Sequence, residues 1–241
     1  MKLQSVIRAI YPASCVACDQ PTAAENGLCG PCWRDTRFIT GTACDLCGAP
    51  LMGDDAGGAV LHCDDCMTLA RPWARGRAAL VYDGIGRRMV LGLKHGDRTD
   101  LAVPAARWMT QAASGLFDDD TLVVPVPVHW SRLLARRYNQ ANLLSTLVAH
   151  RLGLEHLPDA LVRPRPAPKM VQTGRSARFA ALDRAIQPHP RRGVAMAGRR
   201  MLIVDDVMTT GATLAAAADA ALRAGAQQVH VLTLARAVKD D

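Results

Sequence analysis

The sequence is poor in aromatic residues: three Phe, three Tyr and four Trp make up 4% of 241 residues. A binding platform of successive stacked rings for single-stranded nucleic acid is hard to build from so few. No uninterrupted apolar run approaches the roughly 20 residues that span a bilayer, so no membrane insertion is expected. The amino terminus, MKLQSVIRAIYPASC, has one lysine and a short, broken apolar stretch. It lacks the apolar core of a secretory signal, so a cytoplasmic address is expected. The seven histidines are scattered without HExxH spacing, and no Ser–His–Asp or Cys–His constellation stands out. Cysteine is absent from the 175 residues after Cys66.

What is present is ordinary for a globular chain: 49% hydrophobic and 21% charged residues, which excludes wholesale disorder. The length suits one large domain, or a domain of usual size with a small appendage. Lys and Arg exceed Asp and Glu to give a net charge of +7. That balance points to an anionic partner, either nucleic acid or a phosphorylated small molecule, without choosing between them.

All eight cysteines fall between Cys15 and Cys66, as four CxxC pairs: Cys15/Cys18, Cys29/Cys32, Cys44/Cys47 and Cys63/Cys66. A CxxC knuckle turns two thiolates toward one point, and two knuckles complete a tetrahedral zinc site. Two structural Zn2+ ions are therefore expected. A disulfide scaffold suits a reducing compartment poorly. A redox pair needs only one CxxC, in a βαβ setting that this segment lacks. His62 adjoins Cys63 but the cysteine count is already complete, so it reads as a surface residue. Spacing leaves the pairing open between sequential sites (Cys15–Cys32 and Cys44–Cys66) and a cross-braced arrangement. Residues 1–70 have few large apolar side chains and are expected to fold around metal as a double zinc ribbon. The Arg71-Pro72-Trp73 stretch marks the boundary to a second domain, 71–241.

That second part alternates strands and helices. Residues 77–82 and 121–128 read as strands, the latter ended by prolines. Asp83 is placed to cap a helix carrying Met89, Val90 and Leu93 on one face, and another helix is expected over 99–113. Helical spacing runs from Ser131 to about Leu152. Residues 163–175 carry three prolines and several basic residues, so they read as a loop. Residues 200–205 are a continuous apolar run typical of a central parallel strand. An alanine-rich helix over 212–224 stops at Gly225, and 228–235 make the last strand. Such alternation predicts a parallel sheet with helices on its faces.

The most informative segment follows the run RMLIVD: Asp205, Asp206, Val207, Met208, Thr209, Thr210, Gly211, Ala212 and Thr213, leading into a helix. A strand, a tight loop and a helix N-terminus form an anion site, because loop N–H groups and the helix dipole point at the anion. Three threonine hydroxyls add donors, and Gly211 lets the backbone come close. Two adjacent carboxylates at the carboxyl end of a strand suit the two hydroxyls of a ribose.

MLIVDDVMTTGATL resembles the phosphoribosyl-diphosphate (PRPP) signature of type I phosphoribosyltransferases. Together with the four CxxC pairs, the chain resembles the ComF family, competence-type proteins with a double zinc ribbon ahead of a phosphoribosyltransferase domain. Leu93–Gly96, VPVPVHWSRLLARRYNQA (123–141) and VQTGRSAR (171–178) match further segments. The resemblance implies an α/β fold of the type I phosphoribosyltransferase class: a parallel sheet flanked by helices, preceded by a small cysteine-rich double zinc ribbon. It implies that Asp205 and Asp206 hold the ribose hydroxyls, that Thr209 to Thr213 cradle the 5′-phosphate with Val207 and Met208 also in the PRPP site, and that Mg2+ rides on the diphosphate. Pro127, Ser131, Arg132, Arg136 and Gln172 would meet the diphosphate, with Arg137 close by. Asn139 and Gln140 belong to an RxNQ-like motif. The family usually has glycine before the aromatic of that motif, where this chain has Arg137, which leaves the local backbone open. Residues 163–178 match a lid, with Lys169, Gln172, Thr173, Gly174, Arg175, Ser176 and Arg178 able to reach the diphosphate. Arg178 and Lys94 join the acid pair as candidate catalytic groups, and His95 has a weaker claim.

The resemblance implies transfer of a phosphoribosyl group from PRPP to an acceptor that the sequence does not specify. The last strand ends near Ala235, so the hood that selects the acceptor is expected from residues 71–110, assisted by the ribbons. A role in DNA uptake during natural transformation would add competence helicase or uptake proteins as partners. The alternative is a non-catalytic PRPP-sensing adaptor that contacts single-stranded DNA or partner proteins through its ribbons and basic surface.

Overall fold

The computed structural model describes residues 12–22, 25–53, 59–166 and 185–238. Each cysteine quartet is built by the same local plan, used twice. Its first CxxC closes a tight turn: Asp19 N–H donates to Cys15 O (2.9 Å), and Gly48 N–H to Cys44 O (2.8 Å). The residue after each pair adopts a left-handed backbone, with φ 60° at Asp19 and 67° at Gly48. The second CxxC opens a short helix from its own N-cap, Cys29 for α1 (Gly30–Asp35) and Cys63 for α2 (Asp64–Thr68). The quartets are sequential, Cys15/Cys18/Cys29/Cys32 and Cys44/Cys47/Cys63/Cys66, with each set of sulfurs within 4.8 Å of one another. Cross-bracing is thereby excluded, because each ribbon closes on itself. His62 is exposed, as expected.

The rest is organised by a five-stranded parallel sheet. Its strands are β1 (Arg75–Val81), β2 (Leu122–Pro125), β3 (Glu155–His156), β6 (Arg200–Met208) and β7 (Gln228–Arg236), in the order β1-β7-β6-β2-β3. A separate antiparallel pair joins β4 (Leu161–Val162) to β5 (Gln187–Pro188). The helices are α3 (Gly84–His95), α4 (Ala102–Ala112), α5 (Trp130–Arg136), α6 (Gln140–Leu152) and α7 (Ala212–Arg223). Strand alternation sorts the core into two layers. Met201 and Ile203 of β6 face the alanines of α7 together with Cys44, Cys47 and Cys66. Leu202 and Val204 face Met89 and Leu93 of α3, Met109 of α4, Leu144 of α6, and Cys15 and Cys32. The two ribbons therefore straddle the sheet, one on each face.

The chain between the ribbons covers the sheet's β1 edge. Ile39 N–H donates to Ala79 O (3.0 Å) and Val81 N–H to Arg37 O (2.9 Å), with Phe38 bridged antiparallel to Leu80. An open parallel edge would otherwise offer unpaired backbone to other chains. Ribbon two lies against the same strand: Gly76 N–H donates to Asp45 O (2.7 Å), while the Asp45 carboxylate takes Arg77 (2.7 Å) and Arg75 (3.2 Å). A Cβ on Gly76 would stand 2.4 Å from Leu46 O, so this approach requires glycine.

Two elements depart from the sequence pattern. The stretch 99–113 begins as a single 3-10 turn (Thr99–Leu101) before α4. The stretch from Ser131 to Leu152 is two helices, broken where Arg137 takes φ 65° and ψ −16°. The position that the ComF pattern fills with glycine is left-handed here and occupied by arginine. No helix among the described residues is long and apolar enough to cross a membrane.

Candidate functional site: an acid pair beside a phosphate loop

β6 pairs on both sides and is buried through Val204, which makes it the stiff support for the site. Beyond Val204 it carries Asp205 and Asp206 toward the carboxyl edge of the sheet, where ligands bind in open α/β folds. The turn that follows is held from below. Arg71 Nη1 donates to Thr210 O (2.8 Å), and Arg236 Nη1 donates to Thr209 O (2.7 Å) and Met208 O (3.2 Å). With its carbonyls drawn toward the guanidinium groups, the loop is free to turn its N–H groups the other way. Gly211 is left-handed at φ 81° and serves as N-cap of α7. A Cβ there would stand 2.7 Å from Arg71 Nη1. Thr210 Oγ1 accepts from Ala212 N–H at 3.4 Å, while Thr209 is exposed and Thr213 half-buried at the mouth. Val207, Met208 and Ala212 form the buried or half-buried underside.

The same two arginines also act on ribbon two: Arg71 is an electrostatic neighbour of the Cys66 sulfur, and Arg236 of the Cys47 sulfur. Trp73 lies under the Arg71 guanidinium, 5.3 Å from ring centroid to carbon, and donates from Nε1 to Leu46 O (2.6 Å). The second cysteine quartet and the phosphate loop are thus two ends of one strut. Sequence reasoning missed both arginines. Arg71 sits in what reads as a linker, and Arg236 ends a strand where a solvated charge is the usual expectation.

Lys94 lies at the last turn of α3, and its Nζ meets Asp206 Oδ1 at 2.8 Å. That helix end is fixed by Tyr138, whose hydroxyl donates to Leu93 O (2.7 Å). Asp205 Oδ1 accepts from Asp206 N–H (2.9 Å). Burial and then the neighbouring Asp206 charge push the Asp205 carboxyl up to about 7, against the opposing pull of Lys94 and Arg163. His95, one residue past Lys94, is exposed.

The loop after β2 runs alongside the acids, because Pro125 pairs with Val204 and Val126 N–H donates to Val204 O (2.9 Å). Pro127 is buried there. Ser131 is tied locally: its Oγ lies 2.8 Å from His129 Nδ1, which also accepts from Ser131 N–H. Arg132 is exposed on α5, and Arg136 reaches Gln140 Oε1 at 3.5 Å. Asn139 has a structural task. Its Oδ1 accepts from Ala141 N–H to cap α6, and its Nδ2 donates to Val126 O (3.1 Å), fastening the loop. Arg137, left-handed and exposed, lies outside this network. A further residue that the sequence does not single out, Arg163, follows β4. It is 9% exposed and has Asp205 and Arg132 as its electrostatic neighbours. Lys169, Gln172, Thr173, Gly174, Arg175, Ser176 and Arg178 lie outside the described residues.

In the cysteine quartets, Cys18 and Cys29 sulfurs lie 3.6 Å apart, as do those of Cys47 and Cys63. Four sulfurs at about 2.3 Å from one Zn2+ stand roughly 3.8 Å from each other, so both quartets fit the ion.

Comparison with known proteins agrees with this layout. A family model described as the double zinc ribbon domain matches residues 6–67, and one described as the phosphoribosyl transferase domain matches 169–240. The chain is 33% identical over 233 residues to the DNA utilization protein YhgH of Salmonella typhi, which covers 93% of this chain and 97% of that protein. The chain belongs to the ComF family. A second ComF-type relative, competence protein F of Haemophilus influenzae, is 26% identical over 224 residues, covering 89% of this chain and 92% of its own. Among solved structures, adenine phosphoribosyltransferase from Thermoanaerobacter pseudethanolicus aligns at 17% identity and a TM-score of 0.36, over 59% of this chain and 83% of that one.

Proposed function

We propose that the cleft binds PRPP with Mg2+ and supports phosphoribosyl transfer to an acceptor, in the service of DNA uptake or use. The observation that carries this reading is the acid pair Asp205/Asp206 running directly into a threonine-rich loop. That loop ends in a left-handed glycine at the N-terminus of α7. Two hydroxyls of a ribose fit the two carboxylates, and the 5′-phosphate fits the loop and the helix dipole. A Mg2+ ion bound with the ligand would neutralise diphosphate charge. In the transfer itself, the bond from ribose C1 to the diphosphate oxygen breaks, the electron pair leaves with pyrophosphate, the acceptor nitrogen bonds to C1, and its proton passes to solvent or to the departing pyrophosphate. The state in between carries positive charge on the ring. Asp205 and Asp206, once ionised, stabilise that charge while holding the sugar, and no covalent nucleophile is needed. Lys94 holds Asp206 in place and favours the ionised form of Asp205. Cysteine quartets 15–32 and 44–66 hold structural Zn2+ in this reading.

The adaptor reading draws on the first ribbon, where Trp33 is 55% exposed beside exposed Arg34 and Arg37. An exposed ring among arginines suits a base of single-stranded DNA. Pyrophosphate release separates the two. Zinc-loaded protein with Mg2+ and PRPP is screened against nucleobases and other amine acceptors. Acceptor-dependent release that vanishes in Asp205→Asn supports the transferase. PRPP binding without release from any acceptor, combined with a DNA-utilisation phenotype that survives Asp205→Asn, supports the adaptor.

A further inference from the structure

Arg163 is a residue near the acid pair whose side chain is buried without the partners that burial demands. It is nine-tenths buried, and its Nε and Nη2 find no hydrogen-bond partner among the described residues. An unpaired guanidinium out of water is costly, and folded proteins rarely keep one unless its charge is used. Its position is well fixed. The preceding Leu161 is fully buried in the layer of α7, and β4 is clamped to β5 by pairing of Leu161 with Pro188 and Val162 with Gln187. The charge that Arg163 faces is mixed. Asp205 attracts it, and Arg132 from α5 repels it. Two cations that both act beside one carboxylate leave positive charge in excess, which an anion of high charge would balance.

We propose that Arg163 is the fixed receptor for the ligand's diphosphate, held between Arg132 and Asp205. It would grip that group through the free Nε and Nη2 edge of its guanidinium. This assignment rests on the PRPP reading above and deepens it. Nε and Nη2 form one edge of a planar fork, which matches two oxygens of a phosphate in parallel. The receptor stands in place before ligand arrives, so its desolvation cost is borne by the folded chain and not by binding. Arg163 thereby sets the preference for a ribose that carries a diphosphate at C1 over one that carries only a 5′-phosphate.

The test compares PRPP, ribose 5-phosphate and inorganic pyrophosphate on zinc-loaded wild type, Arg163→Met and Arg163→Lys, with Mg2+ present. Arg163→Met is expected to weaken PRPP at least tenfold while ribose 5-phosphate stays within about twofold, so the preference disappears. Its Tm without ligand is expected to equal or exceed that of wild type, because an unpaired buried charge has been removed. A residue with a merely structural role would lower Tm and both affinities together, and that outcome overturns the assignment. Arg163→Lys keeps the charge but not the fork and should recover only part of the preference. An Arg163→Met protein that keeps its preference for PRPP also overturns it. Should wild type bind neither ribose phosphate, the PRPP reading fails by itself and pyrophosphate decides the receptor. Pyrophosphate bound by wild type and lost in Arg163→Met sustains it, and pyrophosphate bound equally by both or by neither ends it.

Discussion

At the residue scale, the charge state of Asp205 decides what the cleft can hold. Its carboxyl is pushed up to about 7, first by burial and then by Asp206. An acid whose folded pKa is raised binds its proton more tightly folded than unfolded. Between about pH 4 and pH 7, stability therefore falls as pH rises. Asp205→Asn is expected to stabilise the ligand-free protein by about 4 kcal/mol at pH 8 and by almost nothing at pH 4. Denaturant titrations at the two pH values check this. Ligand needs the ionised pair, so affinity for a ribose diol should climb across the same interval. Lys94 lowers the Asp205 pKa from its contact with Asp206. Lys94→Met should then move the midpoint of that climb upward by about one pH unit, read from binding against pH. Arg137 offers a different check. Its left-handed backbone at φ 65° is strained for a side chain with Cβ, so Arg137→Gly should raise stability by about 0.5 kcal/mol. The acid pair and the glycine loop are legible in the sequence because they are contiguous. Arg163 is not, because an arginine among prolines looks like any solvated loop residue, and only the packing of Leu161 shows that it is drawn inside.

At the scale of elements, the strands are legible where apolar runs are continuous, as in RMLIVD. The break between α5 and α6 is not. Leu133, Leu134, Tyr138, Ala141 and Leu144 keep a helical period straight through it, so periodicity sees one helix. What ends α5 is a backbone conformation at Arg137, for which the side chain gives no signal. What starts α6 is the Asn139 cap. The arginine strut between ribbon two and the phosphate loop is equally hidden, since its ends are 165 positions apart in sequence from Arg71 to Arg236. It makes a distinct prediction. Arg71→Ala leaves both acids and all eight cysteines intact but frees the Thr210 carbonyl. Affinity for a phosphorylated ribose should drop about tenfold, roughly 1.4 kcal/mol, with zinc content unchanged by metal analysis. Gly211→Ala should do the same by crowding Arg71 from the other side.

At the scale of the whole molecule, the ribbons and the sheet domain share their cores. Cys15 and Cys32 pack with α3, and Cys44, Cys47 and Cys66 pack with α7. The segment carrying Arg37 and Ile39, strung between the two ribbons, is what closes the β1 edge. Composition divides the chain near residue 70, but packing runs across that line. Removal of zinc by a strong chelator should therefore do more than melt a ribbon. It should expose the β1 edge and slacken the loop strut, seen as concentration-dependent association together with loss of phosphate-ligand binding.

The central claim is that Asp205, Asp206 and the loop from Thr209 to Thr213 form a PRPP site. Calorimetric titration of zinc-loaded protein with PRPP and Mg2+, repeated on Asp205→Asn/Asp206→Asn, tests it most directly. The account predicts saturable one-to-one binding by wild type that rises with pH through about 7 and is lost in the double variant, which stays folded. Folded, zinc-replete wild type that binds no PRPP, or a double variant that binds it as well as wild type, would contradict it.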